Sequence, residues 1–208
     1  ETAPALEPEA LQRQKIKGGY FNTLRQPKIV LSSLLMGSVT SVIYLFSTFA
    51  PFLAIEEMGL SPEDYGLLNT LPPLGLIAGS LMTHWLALYR EKLWVIRLGG
   101  GLSFFCSVGM LALFAAGKLS PITLFLPIPL LYFGTALIYN NASSFAMEHM
   151  KDKSNGSAIM GCLNIFFAAS SVFLAQSIAS PSSFLLPLSF MTLSLLSLLL
   201  LRSVSRLG

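Results

Sequence analysis

The class of this chain is decided by residues 154–201, which read SNGSAIMGCLNIFFAASSVFLAQSIASPSSFLLPLSFMTLSLLSLLLL. The stretch contains no charged side chain and ends in the run Leu193–Leu201, which is made only of leucine and serine. A helix needs about 20 mainly apolar residues to cross a hydrocarbon core about 30 Å thick. The stretch is long enough for two such helices, and the turn-type cluster Ser180-Pro181-Ser182-Ser183 divides it. Two membrane crossings are therefore predicted here.

Four more uncharged runs, each fitting one crossing, precede this stretch at 29–55, 65–89, 98–117 and 119–147. Only 11% of the residues are charged and the mean hydropathy is +0.68, whereas about a quarter of a soluble domain is charged. The runs do not alternate as barrel strands would. We therefore predict an all-α membrane protein, a bundle of six transmembrane helices at 29–53, 65–88, 98–117, 121–145, 157–179 and 183–201.

The basic residues orient this bundle, because cytoplasmic loops carry the excess of lysine and arginine. If six helices alternate, twelve of the thirteen basic residues fall on one side, and Lys118 alone falls on the other. Both ends of the chain are predicted to be cytoplasmic. The predicted parts are a cytoplasmic linker at 1–28, a six-helix transmembrane domain at 29–201 and a cytoplasmic tail at 202–208. The polar opening Glu1-Thr2-Ala3-Pro4 is more typical of an internal linker than of a beginning, so we expect a piece of a longer protein or a truncated gene product.

Small and polar residues recur at helical spacing on the first and fifth predicted helices, for example at Ser33, Gly37 and Ser41. Such stripes favour close helix packing. Bulkier polar side chains favour a solute cavity instead, since a buried amide is costly unless it is bonded or wet. Packing and cavity both remain open for each residue. The candidate cavity residues are Ser41, Tyr44, Asn69, Tyr132, Asn141 and Asn164.

Helix two also contains Pro72-Pro73, which predicts a kink and a candidate gating position. No Asp, Glu, Lys or Arg lies inside a predicted helix core, so a proton-coupling carboxylate is not expected in this chain. His84 lies near the predicted cytoplasmic end of helix two, where an interfacial role is the simpler interpretation. Cys106 and Cys162 lack metal-ligand or CxxC spacing, and we expect them to pack.

Several function classes are disfavoured by missing motifs. The sequence has no GxSG nucleophile site, no HExxH and no GxxxxGK[ST]. We therefore expect no enzyme activity, no metal and no cofactor. Topology accounts for the basic excess, so no nucleic-acid partner is expected either.

The order of local motifs resembles the Bcr/CflA drug-resistance branch of the major facilitator superfamily. Tyr20–Arg25 resembles the lead-in to the seventh helix of that family, and Phe46–Leu53 with Met58–Ser61 resembles the region that joins its seventh and eighth helices. Residues 134–161 resemble the region of its tenth and eleventh helices. The chain departs from the family at Asn140-Asn141, where a Pro-Asn pair is usual, and at Ser154–Ala158. The resemblance covers nearly the whole chain but only the C-terminal six of twelve helices.

This resemblance implies the C-terminal half of a proton-coupled efflux transporter in the bacterial inner membrane. Its partners would be a hydrophobic small molecule, protons, membrane lipid and an N-terminal six-helix half. In that superfamily two halves rock around a central site. By analogy, predicted helices one, two, four and five line the cavity, while three and six face lipid. Two alternatives stay open: a non-transporting half-size protein or remnant, and an uptake carrier of the same superfamily.

Overall fold

A computed structural model describes residues 13–148, 150, 152–178 and 184–206. These residues form helices joined by short turns, with no β-strand among them, so the all-α prediction is confirmed. A wide π-helical turn at Phe52–Glu57 continues the second helix. The helices are α1 Arg13–Leu24, α2 Pro27–Pro51, α3 Pro62–Leu68, α4 Leu71–Leu86, α5 Lys92–Ala115, α6 Pro121–Phe125, α7 Ile128–Met147, α8 Lys153–Ser177 and α9 Leu185–Val204.

Five helical stretches in the described part of the chain are long and apolar enough to cross a membrane. They correspond to the first, third, fourth, fifth and sixth predicted helices. Their bounds are Pro27–Glu57, Lys92–Ala115, Pro121–Met147, Lys153–Ser177 and Leu185–Val204. The turn predicted at 180–183 lies outside the described residues.

The second predicted helix, 65–88, is wrong as a single helix, because it is broken into α3 and α4. The Thr70 amide bonds back to the Leu67 carbonyl oxygen at 3.1 Å, which ends α3 in a tight turn. Pro72 and Pro73 then lack the N–H groups that would carry the helix through. At about 1.5 Å per residue α4 is about 24 Å long, shorter than the bilayer core. The helix is broken just before the predicted kink at Pro72-Pro73. The sixth crossing stays a prediction that needs α3 and α4 together.

The fourth predicted helix, 121–145, is interrupted in the same way at Leu126 and Pro127, between α6 and α7. Proline again removes backbone donors at this point. The Cys106 thiol donates to the Pro127 carbonyl oxygen at 3.2 Å, so this cysteine from α5 binds a carbonyl at the break. This contact fits the packing role expected of Cys106, whereas Cys162, which was expected to pack as well, is exposed.

The core of the bundle forms where α7 packs against α2, α4 and α5, with α9 packed on α2 and α5. Phe46 on α2 is almost fully buried, and its ring meets the edges of Phe125 and Tyr132 at centroid distances of 5.9 and 6.0 Å. These edge-to-face contacts add to the apolar burial that holds α2 on α7. The eighth helix packs on the other side of α2.

The small-residue stripes are helix contacts. On α2, a Cβ placed at Gly37 would lie 2.7 Å from the Phe167 Cβ of α8. The Ser41 hydroxyl donates to the Ser171 hydroxyl at 3.0 Å across the same interface. On α4, a Cβ at Gly79 would lie 2.6 Å from a carbonyl oxygen of α7. The packing interpretation of these stripes is therefore confirmed at these positions.

Basic side chains gather at one end of the bundle. Lys28 at the start of α2 lies 3.9 Å from the centre of the Phe145 ring near the end of α7. Lys92 at the start of α5 pairs with Glu148 just after α7, with 3.2 Å between Nζ and Oε1. Lys118 follows the other end of α5. We term the end that holds Lys28 and Lys92 the basic end. Its described basic residues include Lys28, Arg90, Lys92, Arg97 and Arg202.

Candidate solute groove

Three cavities follow one another along the bundle. A basic-end cavity of 570 Å³ lies between α4 and α7, a central cavity of 440 Å³ between α2, α4, α7 and α8, and a far cavity of 480 Å³ between α2 and α8. Ser80 and Asn140 line both of the first two, and Ile43 and Tyr44 line both of the last two. The three together form what we term the groove.

The central cavity is lined by neutral side chains. Asn140 on α7 donates its amide to the Ser80 hydroxyl on α4 at 3.3 Å, where the central cavity meets the basic-end cavity. Tyr44 and Tyr139 are 40% and 37% exposed, so their rings are accessible from the groove. The polar lining residues are Thr40, Tyr44, Ser80, Thr135, Tyr139, Asn140 and Asn164. This lining offers hydrogen bonds and aromatic faces but no carboxylate.

Asn164 on α8 has a buried side-chain oxygen with no internal partner. The residue is only 6% exposed, and its Oδ1 atom makes no hydrogen bond. A buried polar group left without a partner costs about 1–3 kcal/mol. The side chain borders the central cavity, so a polar group entering that cavity could pair with its amide.

Charge appears only in the basic-end cavity. Its lining includes His84, Arg90, Glu91, Lys92 and Glu148. The Lys92–Glu148 ion pair joins the start of α5 to the residue after α7. The groove is thus neutral through its middle and charged at one end.

Three of the six predicted cavity residues line the groove. Tyr44 separates the central and far cavities, and Asn164 borders the central one. Asn141 borders the basic-end cavity. It is 3% exposed and donates its amide to the Leu137 carbonyl oxygen at 2.8 Å, within its own helix. Unlike Asn164, it therefore already has an internal partner.

The other three, Ser41, Tyr132 and Asn69, line none of these three cavities. Ser41 is fully buried, where its hydroxyl also bonds the Gly37 carbonyl oxygen at 2.7 Å. Tyr132 is 3% exposed in the core, and its hydroxyl donates to the Ile43 carbonyl oxygen at 3.5 Å. Asn69 is exposed at the end of α3. Pro72 and Pro73 stand at the start of α4 and line none of the three cavities.

On α2 the predicted stripe of Ser33, Gly37, Ser41, Tyr44 and Thr48 divides between two surroundings. Gly37 and Ser41 touch α8. Tyr44 and Thr48 line the groove, together with Thr40, Ile43 and Ser47, which the stripe did not include. Helical spacing alone could not separate the part of the stripe that packs from the part that lines the groove.

The sequence reasoning missed Ser80, Tyr139 and Asn140 as groove residues. A signal was present, because Ala136, Tyr139, Asn140 and Ser144 recur at i, i+3, i+4 and i+8 on one face of α7. That face lines the central and basic-end cavities. Among the described residues, no group of three or more His, Cys, Asp or Glu side chains could hold a metal ion.

Comparison with known proteins adds no assignment to this geometry. No protein-family model and no curated protein matches the sequence.

Proposed function

We propose that this chain is one half of a membrane carrier that moves a hydrophobic small molecule by alternating access, in the direction of efflux and coupled to protons. The observation that carries the proposal is the groove, which runs from the basic end toward the opposite end of the bundle. A carrier needs a path of this kind, with a binding site near its middle. The motif resemblance to Bcr/CflA transporters and their inner-membrane location supports the same proposal.

The helices that flank the groove support a partner half. Large apolar side chains on α4 and α8 are exposed. A single exposed apolar residue is ordinary, but a wide apolar patch marks a surface that contacts another protein or lipid. Leu74 and Leu81 on α4 are 56% and 68% exposed, and Phe166 and Phe173 on α8 are 70% and 69% exposed. A second six-helix bundle seated on α4 and α8 would cover these side chains and close the groove. We propose that the N-terminal half of the transporter occupies this position.

The lining suggests the kind of solute. Tyr44 and Tyr139 border a cavity that also contains Val39, Ile43 and Leu76. Such a site suits a flat apolar molecule, and a cationic one would gain about 0.5–2 kcal/mol against an aromatic face. The Asn164 amide would pair with one polar group of the solute.

Proton coupling needs a titratable group near the solute site, and the central cavity of this chain does not provide a carboxylate. Apart from tyrosines, the titratable side chains that line the groove all lie in the basic-end cavity. They are His84, Arg90, Glu91, Lys92 and Glu148. The central cavity has no carboxylate in its lining. We therefore propose that the coupling carboxylate belongs to the partner half.

The test is the accumulation of a fluorescent cationic dye in cells that express the entire gene, with Asn164→Leu as the variant. Leucine removes the unpartnered amide at nearly equal volume, so the fold should be kept. We expect the wild type to lower dye accumulation and the variant to lose most of that effect at equal membrane abundance. The matched control is Asn69→Leu, an exposed position outside the groove, which should export dye normally.

Each other result has a definite meaning. Higher dye accumulation on expression would favour an uptake carrier. No change in either direction across a panel of dyes would favour a non-transporting protein. Normal export by Asn164→Leu would remove this residue from the solute site while leaving transport intact.

A further inference from the structure

A separate cavity lies on the other side of the bundle, between α5 and α9 at the basic end. It has a volume of 390 Å³ and is lined by Arg97, Leu198, Leu201, Arg202 and Ser205. The ninth helix lines none of the three cavities of the groove, and α5 contributes only its first turn to them. The site is therefore distinct from the proposed solute path.

Two arginines give this cavity a net positive charge. Both side chains are exposed, and neither forms an ion pair with any residue that the structure describes. No acidic residue lines the cavity. Arginine presents a planar fork of donors that matches the oxygens of a phosphate group. Two unpaired guanidinium groups beside one cavity thus favour an anionic, phosphate-type ligand.

The rest of the lining is apolar and continues along the helix. Leu198 packs on α5 so closely that a Cβ at Gly100 would lie 2.9 Å from its Cδ2 atom. Leu195 and Leu199, in the two turns of α9 that precede Arg202, are 45% and 50% exposed. A free anion would gain nothing from such a surface, whereas an acyl chain would bury apolar area against it.

Exposed aromatic residues lie at the same end of the bundle as this cavity. Trp94 lies one turn before Arg97 on α5 and is 40% exposed, and the Arg90 guanidinium lies 5.0 Å from the centre of its ring. Trp85, the other tryptophan of the chain, is 56% exposed near the end of α4 and lies 5.2 Å from the Tyr89 ring. Tryptophan and tyrosine concentrate where a membrane meets water.

We propose that the cavity between α5 and α9 binds an anionic glycerophospholipid. Its phosphate lies between Arg97 and Arg202, and an acyl chain follows Leu198 and the exposed leucines of α9. Basic pockets between transmembrane helices on the positively charged side recognise anionic headgroups in this way. The proposal does not depend on what the groove transports.

The experiment is native mass spectrometry of the purified 208-residue chain in mild detergent, titrated with phosphatidylglycerol or phosphatidylcholine. We expect one phosphatidylglycerol to be retained in preference to phosphatidylcholine. The double variant Arg97→Gln/Arg202→Gln should weaken that retention roughly tenfold or more, since each surface arginine contributes to anionic-lipid attraction. Circular dichroism should be unchanged because both side chains are exposed.

Two controls separate a site from diffuse attraction and from a free-anion site. Arg25→Gln/Lys118→Gln removes the same charge away from the cavity and should leave lipid retention unchanged; an equal loss would overturn the proposal. Inorganic phosphate and glycerophosphoglycerol, the headgroup without chains, should not compete with the lipid at equal concentration. Competition as strong as that of the lipid itself would mean an anion site and not a lipid site.

Discussion

At the scale of single residues, burial separates side chains of one type into different roles. Tyr44 and Tyr132 both lie near the middle of predicted helices, yet the first is 40% exposed to the groove and the second is 3% exposed in the core. Asn141 and Asn164 differ likewise, because Asn141 bonds its own helix and the Asn164 carbonyl has no partner. Residue type alone did not distinguish these pairs.

The two tyrosines should respond differently to truncation. Tyr44→Ala should reduce resistance to some drugs conferred by the entire gene and leave membrane abundance intact. Tyr132→Ala should leave a cavity beside Phe46 and cost about 3–5 kcal/mol of stability, as aromatic-to-alanine changes in cores do. Resistance, membrane abundance and the apparent melting temperature of the purified variants check this. A stable Tyr132→Ala protein with lost resistance would return Tyr132 to the solute site.

At the scale of helices, glycine and proline decide how the elements meet. Glycines let α4 approach α7 until backbone and small side chains touch, and a Cβ at Gly79 would also lie 2.8 Å from the Ala136 Cβ. Prolines break the second and fourth predicted helices at points where backbone donors are missing. The break before α4 lies next to a groove-lining helix, so a gating role for Pro72 and Pro73 remains a prediction.

The α4–α7 contact should not tolerate a methyl group. Gly79→Ala should lower stability by about 1–3 kcal/mol, the usual cost of overpacking, because its neighbour is the Phe133 backbone and cannot turn aside. Gly109→Ala on α5 is the matched control, since no atom lies within 4 Å of its Cβ position. Thermal unfolding in detergent compares the two. Equal melting temperatures would mean that α4 can move away from α7 without loss.

At the scale of the whole molecule, the distribution of basic residues predicts the orientation of the bundle in a membrane. The described basic residues of the helix ends lie at the basic end, and Lys118 lies at the opposite one. The placement of the basic end in the cytoplasm rests on the loop-charge rule.

Topology reporters test this orientation directly. A periplasm-active reporter fused after Ser61 should be active, and one fused after Lys153 should be inactive, because Ser61 precedes α3 at the end opposite the basic end. A cytoplasm-active reporter should give the complementary pattern. The reverse result at both positions would invert the orientation and contradict the assignment of the basic end to the cytoplasm.

The isolated 208-residue chain should not transport. One half supplies one wall of the groove, and neutral polar groups such as Asn140 and Asn164 would then face lipid, where unpaired groups are costly. Proteoliposomes that contain the purified chain, loaded with dye under a proton gradient, measure this. Robust movement of dye would mean that two copies of the chain assemble into a complete carrier.

The sequence by itself determined the all-helical class, five helices long and apolar enough to cross a membrane, the break at Pro72-Pro73 and the clustering of charge, because each of these depends on local composition and on the length of apolar runs. It also pointed to Tyr44, Asn141 and Asn164. Only the tertiary structure decided which face of each helix lines the groove. On α2, Ser41 and Tyr44 belong to one helically spaced stripe, yet Ser41 bonds α8 and Tyr44 lines the groove, because of how α2 is rotated against α8. That rotation is fixed by contacts between distant residues such as Gly37 and Phe167, which no local pattern encodes.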